Sequence, residues 1–278
     1  MSLSYSNLPV YVGGPSASTV SETINYLPAT QVNVNYTTNS SPKRNLGVSI
    51  ATGDQFKFGQ GLNTTVSMTC FLQKDFEEGM SWTYYNDDFF PIKIGNNIFQ
   101  KCYVNDFSVS VAPYQPVILQ VNFTCLDPPT GVQISEDENP YGGGNIPFRP
   151  DQIVYGHSCS VTNMNTVVSD TQSQVSYQKT MARTPVFKLG SINASSMLLD
   201  GVEEQMTITS TGLNNLIDFS GDILNNEVKV DLTSLDGNED DYIGKISMAK
   251  GATVAIEGYG VGQGDTVQTT ATIKQVTV

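Results

Sequence analysis

The sequence predicts a mainly β protein made of two similar halves, and three observations carry that prediction. Apolar residues alternate at period two through many short stretches, helical periodicity is scarce, and the strand pattern of the first half recurs in the second at an offset of 140 to 148 residues. A chain of 278 residues is long for one domain and ordinary for two. Composition agrees: 39% apolar side chains are enough for a core, and the low charged fraction of 15% is made up by Ser, Thr, Asn, Gln and Gly.

Residues 1–30 read as an N-terminal arm. The runs NLPVYVGGPSAS and NYLPATQ space Pro and Gly too closely for a strand of any length. Tyr5, Leu8, Val10 and Tyr11 make the segment more apolar than a solvated tail, so it is expected to order against a neighbouring subunit.

The first β domain is assigned to residues 31–131. Its alternations are Val32 and Val34 leading to Tyr36, then Val66, Met68 and Cys70, then Phe107, Val109 and Val111, and finally Leu119, Val121, Phe123 and Cys125. A short helix is expected at 76–87. The stretch 127–150 holds five prolines, the triplet Gly142 to Gly144 and the acidic cluster Glu136, Asp137 and Glu138. So dense a set of breakers forms neither ladder nor helix, and 132–150 is assigned as a linker.

The second β domain is assigned to 151–278. Val175 and Tyr177, Met206 and Ile208, Val254 and Ile256, and Val267, Thr269, Ala271 and Ile273 alternate as strands do, with a helix expected at 212–225. The halves also align in order. VNYTTNSSPKRNLGVSI (34–50) parallels VSYQKTMARTPVFKLGSI (175–192), and GLNTTVSMTC (61–70) parallels GVEEQMTITS (201–210). VSVAPY (109–114) then parallels VAIEGY (254–259), and LQVNFTC (119–125) parallels VQTTATI (267–273). Offsets that drift upward are what loop insertions produce, so a tandem duplication is expected.

Net charge is −13, divided as −3 over residues 1–131 and −10 over 132–278. With no basic run longer than Lys43-Arg44, the chain lacks the phosphate-neutralising stripe that adhesive nucleic-acid binding needs. No segment approaches the roughly 18 apolar residues of a membrane helix, and the N-terminus carries no signal pattern. Synthesis in a cytoplasm is expected.

Candidate chemistry is sparse. His157 is the single histidine, and no nucleophile elbow accompanies it. The pairs Asp87-Asp88, Glu203-Glu204 and Asp240-Asp241 read as solvated loop charges. The loop 236–247 offers Asp236, Asn238 and Asp240 in a calcium-like spacing, but Asp241 stands where Gly is needed and Ser247 where a bidentate Glu is needed. Cys70, Cys102, Cys125 and Cys159 show no zinc spacing and are expected to be small buried apolar residues. Glycines 258–265 fit a hairpin turn better than a phosphate loop, and the Asn-x-Ser/Thr sites at Asn35, Asn63, Asn122 and Asn193 are chance matches in an Asn/Thr-rich chain. No catalytic residue, metal or cofactor is assigned, and the chain is not expected to be an enzyme.

The run KCYVNDFSVSVAPYQPVILQVNFTCLD (101–127) resembles the closing strand pair of the bacteriophage tail-tube domain, and ATVAIEGYGVGQGDTVQTTATIKQVTV (252–278) repeats that arrangement. The resemblance implies two tandem tail-tube-like β-sandwich domains, each with a short helix, whose inner strands join between subunits into a barrel around a channel. It implies a ring of three chains with pseudo-sixfold symmetry, or of six chains, stacked into a tube. Partners would be further copies and other tail proteins (sheath, baseplate or terminator), with DNA as a cargo that does not adhere to an acidic wall. The location implied is the virion tail, after assembly in the host cytoplasm.

On that reading Glu203, Glu204 and Gln205 are candidates for the lumen or for ring stacking. Tyr5, Leu8, Tyr11, Trp82, Tyr84, Tyr85, Phe89 and Phe90 are candidates for contacts between subunits. Alternative readings are a baseplate hub or tube initiator and, more distantly, a carbohydrate-binding or adhesin-like β protein.

Overall fold

Period-two alternation becomes strand along nearly the whole described chain. A computed structural model describes residues 2–5, 10–14, 16, 26–27, 29–42, 57–72, 88–95, 97–127, 153–163, 166–167, 172–189, 191, 193–211, 219–220, 222–233, 242–260 and 268–277. The first half contains β1 (Ser2–Tyr5), β2 (Val10–Val12), β3 (Tyr26–Leu27), β4 (Ala29–Pro42), β5 (Lys57–Phe71), β6 (Phe90–Ile94), β7 (Asn97–Val111) and β8 (Ile118–Cys125). The second contains β9 (Ser160–Asn163), β10 (Thr166–Val167), β11 (Gln172–Phe187), β12 (Ala194–Thr211) and β13 (Phe219–Ser220). It continues with β14 (Ile223–Leu224), β15 (Val228–Thr233), β16 (Tyr242–Met248), β17 (Thr253–Gly260) and β18 (Gln268–Thr277).

The mainly β class is as the alternation requires, with all named strand pairs antiparallel. The helix expected at 212–225 does not form over its second part: Phe219–Ser220 and Ile223–Leu224 pair as a small hairpin. Gly221 and Asp222 interrupt the apolar spacing in the sequence and favour a turn over a continuous helix. The helix expected at 76–87 lies outside the described residues.

One large sheet runs β1-β4-β5-β8-β7-β11-β12-β18-β17-β14-β13. Inside it are two groups with the same internal order. β4-β5-β8-β7 is a hairpin followed by a second hairpin entered from its far strand, and β11-β12-β18-β17 repeats that path. The groups join edge to edge where β7 pairs with β11, from Val111↔Val175 to Asp106↔Thr180. Neither this sheet nor the smaller one closes on itself among the described residues.

The smaller sheet, β10-β9-β15-β16, packs over the second group through β16 against β12 and β18. Val161, Val228, Val230, Leu232, Ile246 and Met248 come from this layer and meet Tyr177, Met206, Ile208 and Ile273 in the same core. On the first group, β6 and β2 curl off the N-terminal part of β7 and bring Val10, Val12, Ile92 and Ile94 into that core. Part of the expected N-terminal arm therefore belongs to its own chain, because burying two valines outweighs leaving them for a neighbour.

The connection between halves is tied to the first group. Val154 donates to the Leu72 carbonyl and accepts from Val117, and Gly156 donates to the Gln115 carbonyl. A Cβ on Gly156 would stand 2.0 Å from the Ala112 carbonyl oxygen, so only glycine lets this strip lie so close to the end of β7. Residues 153–156, assigned from sequence to the second domain, are thus hydrogen-bonded to the first.

The repeat alignment is met in order but not in full register. Val34 faces Val66, whereas Val175 faces Ile208 and not Met206, the residue that the sequence alignment sets against Val66. The slip is two residues. An even slip leaves every side chain on its own face, so the alternation survives it.

Candidate functional site

The feature that sets this molecule apart is the open face of the large sheet. Residues in register across eight strands form a row: Gln31, Thr69, Gln120, Ser108, Gln178, Gln205, Lys274 and Thr253. A second row reads Asn33, Ser67, Asn122, Asp106, Thr180, Glu203 and the exposed Val276. Every one of these side chains is exposed or half-buried. They are hydroxyls and amides almost throughout, and neighbours satisfy one another: Asn122 Nδ2 donates to Asp106 Oδ1 at 2.7 Å, Asn105 Nδ2 to Thr124 Oγ1 at 2.6 Å, and the Thr209 and Thr270 hydroxyls lie 3.3 Å apart.

The two rows carry two carboxylates, Asp106 and Glu203, and one ammonium, Lys274. This is less acid than a −13 chain leads one to expect of an exposed face. Like charges directly opposite on adjacent strands repel, so a face built as one ladder favours neutral polar residues.

The three lumen candidates separate. Adjacent strand residues point to opposite faces, and accordingly Glu203 and Gln205 lie on the open face while Glu204 turns inward. There its Oε1 sits 3.1 Å from Lys179 Nζ, and the Lys179 side chain is only 5% exposed. Glu204 is therefore half of an interior ion pair, which corrects its assignment to the lumen. A buried ammonium needs that partner.

Of the contact candidates, Tyr5 falls in β1, which pairs with β4, and Tyr11 lies in β2 with the Lys93 ammonium 6.0 Å from its ring centroid. Phe89 is half-buried, with its ring 6.1 Å from that of Tyr103. Phe90 is fully buried, which leaves no surface for a second chain and corrects its assignment as a contact. Leu8, Trp82, Tyr84 and Tyr85 lie outside the described residues.

Sequence reasoning missed a different apolar surface. The β11–β12 hairpin extends past the β7 joint, and Val186, Phe187, Leu189 and Leu198 near its tip are all well exposed. The run Pro185-Val186-Phe187 between charged residues was the available signal.

It also missed a covalent link. Register places Cys102 directly opposite Cys125 on β7 and β8, with Cα atoms 4.0 Å apart, and the two form a disulfide. They are thus not merely small apolar fillers. Cys70 is: it is fully buried, and burial pushes its thiol up to about 12.

His157 is exposed at the short 3-10 turn Gly156–Ser158, with its ring 5.7 Å from that of Tyr114 and 5.8 Å from that of Tyr155. It borders a cleft of about 430 Å³ lined by Val111, Tyr114, Cys159, Val175 and Val230. Among the described residues, no three His, Cys, Asp or Glu side chains gather as metal ligands, and no helix is long and apolar enough to cross a membrane.

Comparison of the chain with protein-family models and with curated proteins finds no match. The functional argument therefore rests on the sheet and its edges.

Proposed function

We propose that this chain is a structural subunit of a phage tail tube, a ring-forming virion protein whose open sheet face lines a channel for DNA. The observation that carries the reading is the β7–β11 joint. Two groups of the same strand order already meet there edge to edge inside one chain. The outer strands of the two groups are β4, which carries β1, and β17, which meets β14 at one pair; they are the same two positions in the repeated order that meet at the joint. A second copy can thus extend the sheet by the same antiparallel pairing, and repetition closes a ring with no edge exposed.

Both groups contribute to one continuous polar face, which favours three chains per ring over six with the second group outside. Three chains would supply 24 strands. At roughly 4.8 Å between strands and a tilt near 40°, such a barrel measures about 48 Å across its backbone, wide enough to pass a duplex. A hydroxyl and amide wall offers phosphates no cation array to hold them, and the net negative charge keeps DNA from adhering. The exposed apolar tip of the β11–β12 hairpin is suited to contact between stacked rings. A disulfide fits a protein that works in a particle outside the reducing cytoplasm.

A hub protein contributing a single ring would use the same joint, and copy number in the particle separates the two roles. The two polar rows hold no aromatic ring, which weighs against a glycan platform. Negative-stain microscopy tests the proposal: rings or tubes with a central hole of duplex width support it, and monomers at every concentration overturn it.

A further inference from the structure

Strand β1 stands where a neighbouring chain would have to dock. It pairs antiparallel with the outer edge of β4, from Ser2↔Asn35 to Tyr5↔Val32. On the second group the corresponding edge, that of β11, is taken by β7 over residues 175–180. If Val34 is matched with Val175, the equivalent stretch of β4 is 34–39; if the two-residue slip is assigned to this strand instead, it is 32–37. Under either alignment β1 covers part of the edge that the repeated joint would use.

Among the described residues, the complementary edge is open. The outer side of β17 pairs with β14 only at Ile223↔Thr253, and from Ala255 to Gly260 no described strand meets it. Ile256, within that length, is 45% exposed. Unpaired edge amides and carbonyls next to exposed apolar side chains are a template for another strand. Among the described residues, one edge of the chain thus carries a short internal strand, while the other meets β14 at a single pair.

We propose that β1 is a placeholder for the β17 strand of the next copy, guarding the β4 edge in the free chain and released when the ring forms. The inference rests on the tube reading and adds its regulation. Four residue pairs in β1 are few against the six of the β7–β11 joint, so a longer incoming strand displaces it. An edge guarded on one side still prevents uncontrolled growth, because each joint needs both edges.

The test is a reversible lock in the full chain. Ser2 and Asn35 are directly opposite in the β1–β4 register, so Ser2→Cys with Asn35→Cys forms a cross-strand disulfide that holds β1 in place. Assembly is followed by light scattering and negative stain, oxidised and after mild reduction, with each single-cysteine variant as control. The expected result is that oxidation raises the protein concentration needed for rings at least tenfold, that reduction restores it, and that the single variants assemble as the wild type does. Hydrogen exchange provides the second readout. Amides of Ser2–Tyr5 are expected to lose protection on assembly while those of Ala255–Gly260 gain it.

If the locked chain assembles as readily as the reduced one, or if Ser2–Tyr5 stays protected in the ring, the placeholder is overturned and the tube reading stands. If neither locked nor wild-type chain assembles under any condition, the tube reading falls and the placeholder with it.

Discussion

The two four-stranded groups follow one strand path but hold it together with different chemistry. In the first, β7 and β8 are cross-linked by Cys102–Cys125, and Phe107 and Phe123 fill the space beneath them. In the second, the inward positions include the Lys179–Glu204 ion pair, under a separate layer formed by β9, β10, β15 and β16. The outward rows, by contrast, are rich in hydroxyls and amides in both, with Asp106 charged in the first group and Glu203 and Lys274 in the second. The inward chemistry thus differs between the two groups more than the outward chemistry does.

The most damaging way to break the comparison is to part the two groups. Gly156→Ala drives a methyl group into the Ala112 carbonyl at the seam, a backbone contact that cannot give. A loss of about 4–5 kcal/mol, or no soluble protein, is expected in urea unfolding. Within the second group, Glu204→Ala takes the carboxylate away from the buried Lys179 ammonium and is expected to cost about 3–5 kcal/mol. The same measurement with Lys179→Met and Glu204→Leu together is expected to recover most of that loss.

Within the first group, the disulfide closes a loop with a sequence separation of 23, worth about 3.5 kcal/mol by loop-closure entropy. The double variant Cys102→Ser, Cys125→Ser should show that loss, and reductant should shift the wild type but not the variant.

A smaller effect depends on pH. The Cys70 thiol has its pKa raised from 9.0 to about 12 by burial, so between those values the unfolded chain has lost a proton that the folded chain keeps. The stability contribution is full below pH 9 and is lost as pH rises toward 12, at about 1.4 kcal/mol per unit. Tyr103, raised from 10.0 mainly by burial, adds a decline of the same sign at higher pH. Urea midpoints measured from pH 8 to 10.5 should fall, and Cys70→Val should flatten the early part of that fall. The smallest effect sharpens the contrast with Glu204: Glu203→Ala, one residue away on the open face, should change stability by no more than about 0.5 kcal/mol.

Those two glutamates also show what was legible in the sequence. Val66, Met68 and Cys70 announce a strand by themselves, because period two is a property of neighbours along the chain. The same rule applied to Glu203, Glu204 and Gln205 would have placed the middle residue on the opposite face. What could not be read is what depends on the partner strand. The Cys102–Cys125 link needs the β7–β8 register, and the two-residue slip between groups needs the bulges that β11–β12 and β4–β5 carry at different places. Short strands such as β1 and β2 have too few residues to show a period, so the arm looked detached although Val10 and Val12 are core.

We propose that the joint inside the chain is the template for a joint between chains, and native mass tests that proposal most directly. Native mass measurement across a range of concentrations is expected to give rings whose mass is three times that of the 30.1 kDa chain, or stacks of them. A single species of 30.1 kDa at every concentration, or rings built of six chains, would contradict it.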